Sequence, residues 1–392
     1  MIPLFRPALD QREIKAVTAV LQSGWIGSGP RVEEFEVKFA RFVGAKHAIA
    51  VSSASSALQL ALQGLNLKPG SEVISPSLTF IATNHAILLN QLKPVFCDID
   101  PDTLCADPDS IASRITSKTK AVIVMHYGGH PADLTPIVKL CRQRKVYLIE
   151  DCAHATGSYY YASRHNTSVT AKYYHHHHVG TFGVLGCFSF AAIKNLTTGD
   201  GGMIVTDSKQ LADRLKVLRW SGISKDTWHR TSHKNYTSVT AKYSWQYDVT
   251  VVSGKHQMND IAAAIGLVQL TKLKQNNSKR RTLTRRYNLK LKRVPWLALP
   301  VLKPRVISSH HNYVIKVTPK IRNKLIDYLG AHGIATSVHY VPTHHYSLYR
   351  RFTTKLPVTD LIWRQILLLP LYPDLTYRQQ DKVIAAIRHF TP

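Results

Sequence analysis

The chain has 392 residues, 44% hydrophobic and 19% charged, which suits two or three globular units and excludes a disordered polypeptide. Lys and Arg number 51 against 24 Asp and Glu, a net charge of +27, but the basic residues are spread along the chain. No helix-turn-helix, zinc-finger or RNA-recognition pattern accompanies them, so nucleic acid is not an expected partner.

No window reaches the length of about 18 apolar residues that a membrane helix needs, and the start of the chain lacks a signal-peptide layout. The cysteines at 97, 105, 141, 152 and 187 are odd in number and contain no C-x-x-C pair. These features lead to the expectation of a cytoplasmic protein with reduced thiols, no membrane association and no metal.

In chain order, "REIKAVTAVLQSG" (12–24) and "VEEFEVKFARFVG" (32–44) have helical apolar spacing and end at glycine. "HAIAVSS" (47–53) reads as a buried strand and "SSALQLALQGL" (55–65) as a helix. "EVISPS" (72–77), "KPVFCDID" (93–100), "KAVIVMHY" (120–127), "VYLIED" (146–151), "LGCFSF" (185–190) and "GGMIVTD" (201–207) are further strands. "TNHAILLNQL" (83–92) and "LTPIVKLCRQRK" (134–145) are helices between them. This alternation predicts an α/β unit with a mostly parallel sheet.

From Asp260 the pattern changes. A long helix covers 260–293, then "NYVIKV" (312–317), a helix at 321–333, "TSVHYV" (336–341) and a final helix at 378–390 make a smaller α+β unit. The division expected is a large domain at 1–259, with an insertion at about 161–178, and a C-terminal domain at 260–392. "TSVTAKY" occurs twice, at 167–173 and 237–243, as two hairpin-like insertions. The four histidines at 175–178 read as a polar loop, because alternation along a strand would aim them at opposite faces and away from a single ion.

Four features fall at strand ends, where an α/β sheet places its sites. Asp151 leaves the buried strand "LIED" and needs a partner there. "VSSASSAL" (51–58) runs from strand through small hydroxyl residues into a helix, which is the shape of a phosphate cup and places Ala54 and Ser55 at its lip. Phe80 follows another strand, and Ser189 stands five residues before Lys194 in "CFSFAAIKNLTTGDGG". A reactive amine, a buried carboxylate, an anion cup and an aromatic face are the parts required by pyridoxal 5'-phosphate, whose aldehyde must meet a lysine.

The landmarks "PSLTFIATNHAI", "KPVFCDIDPDTL", "VMHYGGHPADL", "IEDCAHATGS", "AAAIGLVQL" and "VHYVPTHH" resemble the DegT/DnrJ/EryC1/StrS sugar-nucleotide aminotransferases along nearly the whole chain. The resemblance implies the aspartate-aminotransferase fold and a pyridoxal-phosphate enzyme that aminates a keto sugar nucleotide, a 4-keto sugar above all, with glutamate as donor. Amination of a 3-keto sugar or cyclitol, or a non-catalytic regulatory role, are the alternatives.

By the same resemblance Lys194 is the Schiff-base lysine and the base that moves the proton. Asp151 holds the pyridine nitrogen, His154 sits near the 3-hydroxyl, Phe80 stacks on the ring, and Ser189, Ala54 and Ser55 take the phosphate. Trp25 and Ile26 in "GWIGSGP", with Lys255 and His339, would meet the sugar nucleotide. A homodimer with a shared site is implied, with Gln257 standing where the family has an Asn that reaches the partner's phosphate.

Overall fold

The computed structural model describes residues 1–162, 175–224, 247–352 and 354–392. Both copies of the repeated "TSVTAKY" segment lie outside the described residues. In chain order the helices are α1 Gln11–Ser23, α2 Pro30–Val43, α3 Ala54–Leu65, α4 Ile81–Leu89, α5 Pro108–Ala112, α6 Leu134–Arg144, α7 Lys209–Leu218, α8 Asp260–Leu291, α9 Pro319–Ala331, α10 Pro357–Trp363 and α11 Tyr377–His389. The strands of the large sheet are β1 His47–Val51, β2 Glu72–Pro76, β3 Lys93–Cys97, β4 Thr119–Met125, β5 Tyr147–Asp151, β8 Leu185–Ser189 and β9 Gly202–Thr206.

The sheet order is β1-β9-β8-β5-β4-β2-β3. Neighbours from β8 through β5, β4 and β2 to β3 are parallel. β9 pairs antiparallel with both β1 and β8, so it alone is reversed. Its central strands are apolar and buried on both faces, as a sheet covered by helices on each side requires. One core lies between the sheet and α3, α4 and α7, and includes Leu58, Leu62, Ile123 and Leu215. The other, with Phe35, Phe39, Phe188 and Phe190, lies beneath α2 and the start of α8.

The long helix α8 joins this unit to a second core. Ala263 and Leu273 pack in the first, and Leu283, Tyr287 and Leu291 in the second. The second core also takes in β12 Tyr313–Val317, β13 Ile366–Leu369, α9 and α11. β12 lies between β13 and the short β10 Leu297–Ala298. Not every basic residue of α8 is solvated: Arg280 is wholly buried and donates to the Leu371 carbonyl at 2.8 Å. Arg286 pairs with Asp381 at 2.6 Å.

Two expectations are corrected. The histidines at 175–178 form strand β7 His175–His178, paired with β6 Tyr159–Ala162, which in turn pairs with β11 Val306–Ile307. His178 is buried and its Nε2 accepts the Gly157 N–H at 2.7 Å, so core packing overrides the polar composition. "TSVHYV" (336–341) is not a strand: among the described residues it makes the single bridge Ser337–Leu368 and then bends at His339.

Candidate active site

Parallel strands bring their carboxyl ends to one edge, so the turns after β1, β2, β4, β5 and β8 meet there. Asp151, the last residue of β5, is buried. Its Oδ2 accepts from Thr83 Oγ1 at 2.7 Å and its Oδ1 from the Ala153 N–H at 3.0 Å. Thr83 lies in the first turn of α4, and its own oxygen is 2.8 Å from Thr79 Oγ1. Burial raises the Asp151 pKa, while Thr83, Ala153 and the Lys194 charge oppose that rise.

The preceding residue, Glu150, faces the other side of the sheet as strand alternation demands. It accepts the N–H groups of Gly180, Phe182 and Gly183 at 2.7 Å each, and contacts His126 Nε2 at 3.1 Å. His126 Nδ1 accepts the Ala132 N–H, so its proton lies on Nε2, toward Glu150. This buried pair fixes the β5 terminus from behind.

Lys194 lies in the turn after β8, partly buried, with its N–H bonded to the Ala191 carbonyl. Burial lowers its pKa from 10.5 to about 8, and Asp151 pulls in the opposite direction. The amine therefore becomes a free base far closer to neutral pH than an ordinary lysine does, with half of it deprotonated near pH 8.

Ser189, Ala54 and Ser55 come together through β9. Ser189 and Val51 both pair with Gly202, one from each side. A Cβ on Gly202 would lie 2.5 Å from the Ser53 carbonyl carbon and 2.8 Å from the Ala54 nitrogen, so only glycine lets the β1–α3 turn sit this close. Ser53 caps α3 by accepting the Ser56 N–H. The N–H groups of Ala54 and Ser55 enter no hydrogen bond among the described residues and point out of the helix start.

Aromatic groups wall the cleft. Phe80, 52% exposed at the start of α4, lies 5.6 Å from the Tyr340 ring. His154 is buried; its Nδ1 accepts the Gly128 N–H at 3.2 Å, so its Nε2–H donates to the Tyr340 hydroxyl at 3.0 Å. The Tyr340 proton is then left for another acceptor. His339 stacks on Tyr340 at 4.7 Å, its carbonyl accepts from Tyr127, and its Nδ1 has no hydrogen-bond partner among the described residues. Burial and the Lys194 charge lower its pKa to about 4.

His311, just before β12, was not singled out in the sequence. Asn195 Nδ2 donates to Asn277 Oδ1 at 2.8 Å and to the Ser309 carbonyl at 2.9 Å, leaving its Oδ1 to accept from His311 Nδ1 at 3.1 Å. His311 therefore carries its proton on Nδ1 and presents a bare, buried Nε2 that has no partner among the described residues. Its ring lies 4.4 Å from that of His154. Burial first, then His154 and Lys194, hold it well below the usual histidine range. Thr83, Tyr340 and His311 were missed as individual residues because only long-range contacts give them their places.

The remaining expected residues have settings of their own. Ile26 is exposed, and the partly buried Trp25 donates its indole N–H to the Ser28 carbonyl at 3.2 Å. That turn is held by Asp260, whose carboxylate accepts the N–H groups of Gly29, Arg31 and Val32. Lys255 lies 5.3 Å over the Trp220 ring, and Gln257 bridges to Val51 of its own chain, beside the α3 cup.

The donor set suits pyridoxal 5'-phosphate: unpaired amides and a serine for a phosphate, a buried carboxylate for a pyridinium, an amine for an aldehyde, and aromatic walls for a flat ring. A family model described as the DegT/DnrJ/EryC1/StrS aminotransferase family matches residues 7–388. The spore coat polysaccharide biosynthesis protein SpsC of Bacillus subtilis is 37% identical, over 99% of this chain and 96% of its own. The aminotransferase TlmJ of Streptoalloteichus hindustanus superposes with a TM-score of 0.88 at 34% identity, covering 99% of this chain and 98% of its own. The putative sugar aminotransferase Spr1654 of Streptococcus pneumoniae, solved in its PMP form, gives a TM-score of 0.88 at 27% identity, covering 99% of this chain and 98% of its own.

Proposed function

Because the chain belongs to the DegT/DnrJ/EryC1/StrS aminotransferase family, a family of pyridoxal-phosphate enzymes that includes sugar aminotransferases, we propose that it transfers an amino group from glutamate to a 4-keto sugar carried on a nucleotide. The observation that carries this reading is the meeting of Lys194, Asp151 and the α3 cup at one sheet edge. The likeness to a spore coat polysaccharide biosynthesis protein supports a sugar product destined for a glycan.

Pyridoxal 5'-phosphate, when bound, supplies the electron sink that lets the donor's α-proton leave. The Ala54 and Ser55 amides and the Ser189 hydroxyl would hold its phosphate, and Gln257 would reach across to the phosphate bound by the partner subunit. Asp151, oriented by Thr83, would hold the pyridine nitrogen. His154 would sit near the 3-hydroxyl with Tyr340 beside it, and Phe80 would cover the ring. Lys194 Nζ would take the proton from the donor α-carbon, and its low pKa suits that exchange near neutral pH. Trp25, Ile26, Lys255 and His339 would meet the sugar nucleotide, in a homodimer that completes each site.

The test is a panel of UDP-, dTDP- and GDP-linked 3-keto and 4-keto sugars with glutamate, read by product mass. A 4-amino sugar nucleotide is expected, with turnover falling by about a thousandfold or more in Lys194→Ala. A 3-amino product would replace the 4-keto assignment, and full turnover in Lys194→Ala would overturn the mechanism.

A further inference from the structure

Outside the Lys194 cleft, two histidines and an aspartate converge from two elements. His344 and His345 are consecutive in the single turn Thr343–His345, and Asp360 lies in α10. His344 Nε2 is 3.1 Å from Asp360 Oδ1, and His345 Nε2 is 2.7 Å from the same oxygen. The donor atoms of all three lie within 4.8 Å of one another. His344 is buried, whereas His345 and Asp360 are about one-third exposed, at 33% and 37% of their side chains. The cluster is thus closed behind and open to water in front.

Each arm is held before any ligand arrives. Ser77, immediately after β2, accepts the His344 backbone N–H at 3.2 Å, and its Oγ lies 2.7 Å from His344 Nδ1. Its carbonyl also accepts the Thr343 N–H at 2.8 Å. Without an ion, His344 Nε2–H faces the Asp360 carboxylate and the Ser77 hydroxyl donates to Nδ1; turning that hydroxyl so that Nδ1–H donates to Ser77 would give Nε2 a lone pair for an ion, with the outer partner that metal-bound histidines normally have. On the other side Asp98 holds the start of α10, accepting from the Val358 and Thr359 N–H groups at 3.0 and 2.7 Å. The His345 ring is held by Asp360, the His344 ring at 4.4 Å and the edge of Trp363, and a proton shift to Nδ1 would present its Nε2.

We infer that His344 Nε2, His345 Nε2 and the Asp360 carboxylate form a site for a divalent transition ion of the zinc class, with the fourth position open to water. Two imidazoles and one carboxylate are a ligand set that zinc takes in tetrahedral geometry, with bonds of about 2.0–2.2 Å and hence donor separations of about 3.3 Å. The present separations from the shared oxygen, 3.1 and 2.7 Å, would widen by about 0.2 and 0.6 Å. A bound ion would clamp the turn that follows Tyr340 to α10.

The test is Zn2+ titration calorimetry on EDTA-stripped holoenzyme, comparing the wild type with His345→Ala and Asp360→Asn. The histidine run at 175–178 is present in all three proteins and cancels in the difference. The wild type is expected to bind one more ion per chain than either variant, and Ser77→Ala to keep the site with affinity lowered by about tenfold. His345→Gln, of similar size, serves if the alanine variant does not fold, and is also expected to lose the ion. Equal stoichiometry and affinity in wild type and folded variants would overturn the assignment, as would a wild type that takes up no zinc.

Discussion

Lys194 and Asp151 each depend on the other's state. Lys194 is pushed down to about 8 by burial, and the Asp151 charge limits the fall. Removing that charge makes the ammonium form harder to keep, so Asp151→Asn should lower the Lys194 pKa further. In cofactor-free protein, reductive methylation of Lys194 against pH should show a midpoint near 8, well below the ordinary 10.5, with the free amine reacting above it. In Asp151→Asn the midpoint should move down; an upward move would show that Asp151 does not act through charge. The neutral histidines 154, 311 and 339 follow the same logic, since burial and the Lys194 charge both disfavour their cations. Lys194, Asp151 and Ser189 could be picked out in the sequence because they lie next to strand ends. His311 could not, since its tautomer is set by Asn195, itself fixed by Asn277, 82 residues further on.

Among elements, the joint between α2 and α8 has the largest consequence for the site. Pro30 has no N–H, and Asp260 accepts the amides of Gly29, Arg31 and Val32, so one carboxylate completes the N-terminus of α2. Asp260 also begins α8, with Asn259 as its cap. Two helix starts thus converge on one negative charge, which their dipoles favour. Asp260→Ala should cost about 2 kcal/mol of stability by stranding buried amides. It should also loosen the turn that carries Trp25 and Ile26. A denaturant midpoint and the KM for the sugar nucleotide would report both effects, and an unchanged midpoint would show that water replaces the carboxylate. The sequence displayed α2 and α8 clearly by periodicity but gave no sign that an acid at the start of one caps the other.

At the scale of the whole molecule, Gln257 tests whether the site is shared between subunits. Its backbone bridges Val51 of its own chain, beside the α3 cup. In a homodimer with crossed sites its amide would serve the partner's phosphate. Gln257→Glu would place a like charge there and abolish turnover. Mixing Lys194→Ala chains with Gln257→Glu chains should then restore activity to about a quarter of wild-type sites under random pairing. No recovery would mean that Gln257 serves its own subunit. The five thiols take no part in this chemistry: all are buried, and burial pushes Cys97, Cys105 and Cys141 up to about 12.

The sequence by itself determined the layered α/β plan, the long helix and the strand-end placement of Lys194, Asp151 and the α3 turn. Apolar periodicity and glycine punctuation are local properties, and parallel strands necessarily gather their carboxyl ends at one edge. The tertiary structure alone decided which distant side chains complete those ends. Thr83 orients Asp151, Tyr340 meets His154, Asp260 closes α2, and the histidines at 344 and 345 find Asp360. It also turned the histidine run into a strand, because a buried pairing surface outweighs polar composition. Such contacts depend on packing between segments far apart in the chain, and no spacing rule along the chain records them.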